Sequence, residues 1–223
     1  MKKINFVLIT TFVLGNLFFK NTLKAQAFYQ YQFMNNMDRH AVKKVTYENA
    51  NGSPYIPEDF TNGSIQVSTT QKFEDLRLKF DAYAGKIAFE YKDETLEIPV
   101  PYAHVSIGNM IFENGFPDID GNEMRTYYQV LSSGKMNFLK HYRSLVKESS
   151  EFGKGMVRRF VMYENYYLAQ KNGGIVKIAI NKEDILKILA EKSTEIEGFI
   201  TKNKLKIKKP EDVIKVVEFY NSL

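Results

Sequence analysis

The chain contains no cysteine among its 223 residues. A protein without cysteine has no disulfide framework, so its fold must be held by a hydrophobic core alone. Tryptophan is also absent, and the aromatic content of 14% consists of phenylalanine and tyrosine. Both side chains suit the pleated surface of a sheet-rich core.

Histidine is scarce, and no catalytic motif accompanies it. The three histidines, His40, His104 and His141, are far apart in sequence and lack an HExxH or similar spacing. There is no cysteine nucleophile and no Gly-x-Ser-x-Gly elbow. We therefore assign no catalytic, cofactor-binding or metal-ligating residue and expect no cofactor. An enzyme whose site is assembled from residues distant in sequence is the less favoured alternative.

One acidic stretch, FPDIDGNEMR, resembles part of a calcium loop. Its oxygen-bearing side chains are Asp118, Asp120, Asn122 and Glu123. A full calcium loop needs glycine at its sixth position and a bidentate glutamate at its twelfth, and these places hold Glu123 and Gln129. An Asp-Gly turn between strands explains the stretch without a metal.

The N-terminus has the layout of a secretory signal peptide. Residues 1–3 form a positive start, residues 4–19 carry no charge, and Ala25-Gln26-Ala27 provides small residues two apart. The sixteen-residue apolar stretch is shorter than the roughly 20 residues that a membrane-spanning helix needs. We predict export to the periplasm or beyond, with cleavage after Ala27 or, alternatively, after Ala25. The mature chain then has no transmembrane segment and, lacking cysteine, no lipoprotein anchor.

Most of the net positive charge comes from this leader. The formal net charge is +5, and the leader contains four lysines and no acid, so the mature chain carries +1. The segment KNKLKIKK, residues 202–209, has five lysines, but residues 181–223 contain nine lysines against eight acidic residues. A nucleic-acid binder normally shows a strong basic excess on its folded domain. We therefore expect no nucleic-acid partner and interpret the lysines as a helix end and connector.

Residues 28–180 are predicted to form one antiparallel β-rich body, a meander or a barrel-like sheet in an α+β protein. Turn signals come every eight to twelve residues, and the runs between them are short. A bulge is predicted near Glu74-Asp75, turns at residues 132–134, 164–165 and 171–174, and an ordered connector at GSPYIPEDF. The predicted strands are IQVS (65–68), FEDLRLKF (73–80), KIAFEY (86–91), TLEIPV (95–100), TYYQVL (126–131), KMNFLKHYRSLV (135–146), MVRRFVMY (156–163), YYLAQ (166–170) and GIVKIAI (174–180).

From Asn181 the hydrophobic period changes from two to about 3.6, which predicts a C-terminal three-helix subdomain over residues 181–223. Asn181 with Asp184 indicates the first helix start, and Pro210 followed by two acids indicates the third. The second helix is predicted from Ser193 to about Asn203. The expected inner faces are Ile185, Ile188 and Leu189; Ile196, Phe199 and Ile200; and Val213, Val217 and Tyr220.

Several of these stretches together resemble a family of uncharacterised secreted proteins common in Bacteroidetes bacteria. The resemblance rests on GSPYIPEDFTNGSIQV, LRLKFDAYAGKIAFEY, YYQVLSSGKMNFLKHY and YYLAQKNGGIVKI, and most specifically on the closing helical segment from DILKIL onward. It implies an exported location and this architecture. It implies no catalytic residue.

These observations leave two non-enzymatic functions. The favoured one is an interaction or structural module of the cell envelope, in which a sheet face or strand edge receives a protein partner. The alternative is a carrier whose curved sheet encloses an apolar ligand. A closed apolar cavity would favour the carrier, whereas a filled core would favour the module.

Overall fold

The fold is given by a computed structural model that describes residues 26, 28–37, 43–47, 50–153, 155–171 and 173–223. Within this part of the chain, eleven strands form a single sheet in which all neighbours pair antiparallel. The α+β prediction is confirmed. The strands are β1 (Lys43–Lys44), β2 (Tyr55–Gln66), β3 (Lys72–Asp81), β4 (Lys86–Tyr91), β5 (Glu94–Glu97), β6 (His104–Ile107), β7 (Met110–Glu113), β8 (Tyr128–Ser132), β9 (Met136–Glu151), β10 (Gly155–Gln170) and β11 (Ile175–Ile178).

Two meanders make up the sheet. Its order is β1-β5-β4-β3-β2-β6-β7-β8-β9-β10-β11, so β2 to β5 and β6 to β11 run in opposite directions from the β2–β6 pair. Gly63 lies at this junction, where a Cβ atom would be 2.1 Å from the carbonyl oxygen of Ser106. The sheet is open, with β1 and β11 at its two ends.

The predicted bulge in β3 is confirmed. Leu76 pairs with Gly63 and Phe73 with Ile65, so Glu74 and Asp75 together face one residue of β2. Asp75 has a φ of +53°. The extra residue brings Phe73 to the same buried face as Leu76, as a bulge does when it shifts the alternation of a strand.

A helix that the sequence analysis did not predict fills the concavity of the first meander. Residues 28–36 form this helix, α1. Phe33 is fully buried, with its ring 5.3 Å from that of Phe73 and 5.4 Å from that of Phe89, and Met37 is also buried. The spacing of Gln30, Phe33 and Met37 follows a helical period, but the segment lies in a body that we predicted to be β-rich.

The C-terminal helices cover the second meander. They are α2 (Lys182–Ile188), a 3-10 turn (Ala190–Lys192), α3 (Ser193–Lys202) and α4 (Pro210–Ser222). Asn181 caps α2 by accepting a hydrogen bond from the backbone N–H of Asp184 at 2.8 Å, as predicted. Their inner residues share one apolar cluster with Met136 and Phe138 of β9 and Leu168 of β10. The helices therefore pack on the sheet through a common core.

Three predicted boundaries are wrong. No turn forms at Glu164-Asn165, because β10 continues from Gly155 to Gln170. The Oε2 atom of Glu164 lies 3.1 Å from the Nζ atom of Lys140 on β9, so the two side chains form an ion pair. The GSPYIPEDF segment is not a connector, since β2 begins at Tyr55. The strand predicted to end at residue 146 continues to residue 151. In addition, β6 and β7 were not predicted.

No helix in the described residues is both long enough and apolar enough to cross a membrane.

Candidate functional site

The acidic stretch forms the Asp-Gly turn that was predicted as the alternative to a calcium loop. Ile119 and Asn122 form an antiparallel bridge, with positive φ angles at Asp120 and Gly121 between them. Asp120 is 3.5 Å from the Nζ atom of Lys177. Among the described residues, no group of three or more histidine and acidic side chains is arranged to hold a metal ion.

The two described histidines have separate environments. His104 on β6 lies with its Nδ1 atom 2.9 Å from Oε1 of Glu113 on β7. His141 on β9 packs against the ring of Tyr128. Burial lowers the pKa of His141 to about 4, and the positive charges of Arg143 and Lys177 add to this shift. His40 lies outside the described residues.

The lysine-rich segment is a helix end and a connector, as predicted. It runs from Lys202, the last residue of α3, to Lys209, which precedes α4. Ile207 is buried and anchors the connector in the C-terminal cluster, with Leu205 partly buried beside it. The lysine side chains point to solvent.

Sequence analysis missed a buried pair of charged residues on β3. Asp81 is 2% exposed and accepts hydrogen bonds from the Tyr47 hydroxyl at 2.5 Å and from the N–H groups of Tyr83 and Ala84 at 2.9 Å. Lys79 is 8% exposed, with its Nζ atom 3.7 Å from the ring centre of Tyr55. Burial raises the pKa of Asp81 and lowers that of Lys79. The partners of Asp81 are a turn and a neighbouring segment, so this carboxylate has a structural role.

Cavities of two kinds lie at the surface of the described structure, one polar and one more apolar. The larger, about 510 Å³, is lined mainly by polar and charged side chains such as Arg77, Glu90 and Lys92. The smaller, about 220 Å³, is lined by Ile87, Ile98 and the Pro99–Pro101 segment, among others. It is below the range of about 300–1,000 Å³ that is usual for small-molecule sites. The concave face of the sheet between them is filled by α1 and aromatic side chains.

The most distinctive feature is a two-stranded ribbon that extends from the sheet. β9 and β10 pair along their whole lengths, from Met136 with Gln170 to Glu151 with Gly155. β8 pairs with β9 only as far as Lys140, and β11 pairs with β10 only from Tyr166. Residues 143–159 therefore have no further strand neighbour in the described structure apart from two short contacts. We call this segment the arm.

The two contacts hold the base of the arm from both sides. On the β9 side, Ser144 donates its N–H to the carbonyl oxygen of Ala82 at 2.8 Å. On the β10 side, Asn51 donates its backbone N–H to the carbonyl oxygen of Arg158 at 2.8 Å. The carbonyl oxygen of Asn51 accepts from the backbone N–H of Phe160 at 3.0 Å. Beyond Ser144 the arm continues for about 20 Å at roughly 3.3 Å per residue.

The hydrogen bonds at the base also define which backbone groups face outward. Ser144 directs its N–H away from β10, and in an antiparallel ribbon every second residue points its backbone groups the same way. The next such residues on β9 are Val146, Glu148 and Ser150. Their backbone N–H and C=O groups have no hydrogen-bond partner within the described part of the chain. β9 thus presents an open edge of three residues.

The side chains of the arm divide between two faces. The inner face contains Ser144, which is buried, and lies beside Met162, which packs on the first core cluster. On the opposite, outer face, aliphatic and cationic side chains are interspersed and exposed or half-buried. These residues are Arg143, Leu145, Lys147, Val157, Arg159 and Val161.

The tip of the arm is apolar. Phe152 is completely exposed, and Met156 is 66% exposed. Positive φ angles at Gly153 and Gly155 close the hairpin next to Phe152.

Comparisons with protein-family models, curated proteins and solved structures found no match to this chain. The arguments for its function therefore come from the geometry described above.

Proposed function

We propose that this protein is a non-catalytic interaction module of the cell envelope and that it binds a protein partner along the open edge of β9. The observation that supports this proposal is the row of outward backbone groups at Val146, Glu148 and Ser150. Soluble proteins usually protect such edges, because an open edge is a template for pairing with another chain. Here the edge lies on an extended arm, where a partner strand has access to it.

Strand addition accounts for the features of the arm. An added strand obtains its affinity from main-chain hydrogen bonds, each contributing about 1 kcal/mol net, and its specificity from the alternating side chains of the edge. The alternating side chains of β9 are Leu145 and Lys147 on one face and Val146 and Glu148 on the other. A partner strand with acidic and aliphatic residues would complement the first pair.

The core supports the interaction module over the carrier alternative. Phe33, Phe89 and other aromatic side chains fill the core cluster on one face of the first meander, and an apolar cavity at the surface has a volume of about 220 Å³. A carrier needs an enclosed space for its ligand.

The edge is tested by two substitutions at one position. Glu148→Pro removes an outward N–H and places a ring on the edge, while the hydrogen bonds to β10 come from the residues on either side. Both substitutions remove the ion pair between Glu148 and Arg158, whose Oε1 and Nε atoms are 3.2 Å apart in the wild type. Glu148→Gln retains the backbone N–H and is therefore the matched control. In a pull-down from envelope extract, we expect Glu148→Pro to lose partners that the wild type and Glu148→Gln retain. An identical set of partners for all three proteins would refute the edge proposal.

Export is a further part of this proposal. It is supported by the leader-like N-terminus and by α1, whose buried Phe33 and Met37 lie only a few residues beyond the proposed cleavage points. The resemblance to secreted Bacteroidetes proteins supports the same location. The intact mass of the protein isolated from the envelope should correspond to a chain beginning at Phe28 or Gln26. A protein beginning at Met1 and recovered from cytosol would contradict export.

A further inference from the structure

Two apolar side chains at the tip of the arm are exposed to solvent and do not belong to the core. Phe152 is completely exposed at the end of a ribbon, and Met156 near it is 66% exposed. Transfer of a phenylalanine side chain out of water is among the larger favourable contributions that a single residue makes. Neither side chain contributes to a core cluster of the described protein.

Positive charge is concentrated along the arm. Residues 143–159 contain five basic and two acidic residues, a net charge of +3. The mature chain as a whole carries only +1, so the rest of it has a net charge of −2. The arm is thus a cationic element on an otherwise slightly acidic protein.

Three of these cations share one face with aliphatic side chains, whereas Arg158 lies on the other face and pairs with Glu148. Arg143, Lys147 and Arg159 share the outer face with Leu145 and Val157, whereas Glu148 lies on the inner face. Lys147 and Arg159 are directly opposite each other across the ribbon.

We propose that the arm is a membrane-contacting element, in which Phe152 enters the outer part of an anionic lipid surface and the cations of the outer face contact the headgroups. An exposed aromatic side chain at the end of a ribbon that carries lysine and arginine along one face has the composition of a segment that lies in a membrane interface. The proposal uses the tip and the outer face of the arm, not the β9 edge, and is therefore independent of the proposed protein partner.

A lipid surface fits the arm better than an acidic protein does. The tip is convex and apolar, and a protein partner would need a pocket shaped to receive it, whereas a bilayer interface accommodates any projecting aromatic side chain. One aromatic residue and a few cations give weak, reversible attachment, since one buried phenylalanine contributes about 10- to 150-fold to binding and each cation about fivefold. Binding should therefore require an excess of lipid and decrease as salt increases.

The absence of tryptophan makes a direct test possible. Phe152→Trp introduces the only tryptophan of the chain at a completely exposed position. With vesicles of phosphatidylglycerol and phosphatidylcholine in equal amounts, we expect a blue shift of its emission and quenching by brominated lipid chains. With pure phosphatidylcholine vesicles, we expect neither.

The controls separate the tip from the rest of the surface. Val176→Trp is the first control. Val176 lies on β11, is 46% exposed and pairs with Leu168 of β10, away from the arm. The emission of a tryptophan at this position should not change. Arg143→Gln with Lys147→Gln should lower vesicle binding at least about tenfold, since each cation near an anionic surface contributes about fivefold. Phe152→Ser should abolish vesicle co-sedimentation while its circular dichroism stays that of the wild type.

Three results would overturn the membrane proposal: no shift for Phe152→Trp with anionic vesicles, an equal shift with pure phosphatidylcholine, or an equal shift for Val176→Trp. Capture of an envelope protein that depends on Phe152, without binding to vesicles, would identify the tip as a protein contact and also overturn it. Glu148→Pro should bind vesicles as the wild type does. Loss of protein partners by Glu148→Pro tests the edge proposal, and its vesicle binding tests the membrane proposal, so the failure of one can be told from the failure of the other.

Discussion

His141 shows how this protein accommodates an ionisable side chain within its sheet. It lies on β9 against the ring of Tyr128, and Arg143 and Lys177 are the positive charges near it. Burial and these cations lower its pKa to about 4 from an ordinary value of 6.5. The side chain is therefore neutral in the folded protein at neutral pH and packs as an aromatic ring.

This arrangement predicts a loss of stability in mild acid. Between pH 6.5 and 4 the unfolded chain binds a proton at His141 that the folded chain does not, so the free energy of unfolding falls as the pH falls through this range. We expect a loss of about 1–2 kcal/mol, less than the full linkage value because the ring is partly accessible to water.

The measurement is urea unfolding at several pH values for the wild type and His141→Gln. The variant should lose less stability than the wild type between pH 7 and pH 4, and His104→Gln serves as the matched control. Parallel curves for the wild type and His141→Gln would show that His141 does not carry this dependence.

At the level of elements, the features predicted correctly are those with local causes. Asn181 caps α2 with its own side chain, Pro210 begins α4, and the Glu74–Asp75 bulge interrupts the alternation of β3. Each depends on residues within a few positions of one another, so the sequence pattern contains the necessary information.

The elements that were missed depend on contacts between distant residues. Helix α1 is stabilised by burial of Phe33 against β3 and β4, and the helical spacing of Gln30, Phe33 and Met37 is too short a pattern to indicate a helix by itself. Glu164 lies within β10, where its carboxylate forms an ion pair with Lys140 of the neighbouring strand β9. The two strands of the arm were predicted to stop short of its tip, at 146 and 156, since residues 147–155 contain glycines and serines and too few apolar residues to indicate strands.

The arm itself is an element that needs support from the body. A two-stranded ribbon is at best marginally stable alone in water. Hydrogen bonds to Ala82 on one side and Asn51 on the other fix its base, and the ion pair of Glu148 with Arg158 joins its strands further out. These contacts allow the distal residues to be exposed without the ribbon being part of the core.

For the whole molecule, the candidate site follows from the contrast between body and arm. The body has a filled core and no cluster of metal-binding side chains among its described residues. The arm combines an open backbone edge, a cationic outer face and an apolar tip. Sequence analysis predicted a strand edge as one binding surface but could not identify which edge, because only the complete sheet shows where the neighbours of β9 end.

The central claim is that the arm serves attachment and not folding. A shortened variant in which residues 148–158 are replaced by Asn-Gly tests it, since this turn joins the facing residues Lys147 and Arg159 by a two-residue hairpin. The removed side chains are mostly exposed, and the deletion removes one hydrogen bond at the base of the arm, that from Asn51 to Arg158, so the free energy of unfolding should fall by about 1–2 kcal/mol at most.

The decisive measurement is the fraction of protein that co-sediments with isolated cell envelopes, compared between the wild type and the shortened variant after urea unfolding has shown that both are folded. We expect the co-sedimenting fraction of the shortened protein to fall at least about tenfold, which corresponds to a loss of about 1.4 kcal/mol or more of binding free energy. A folded shortened protein that co-sediments as the wild type does would contradict the central claim, as would a shortened protein that cannot fold.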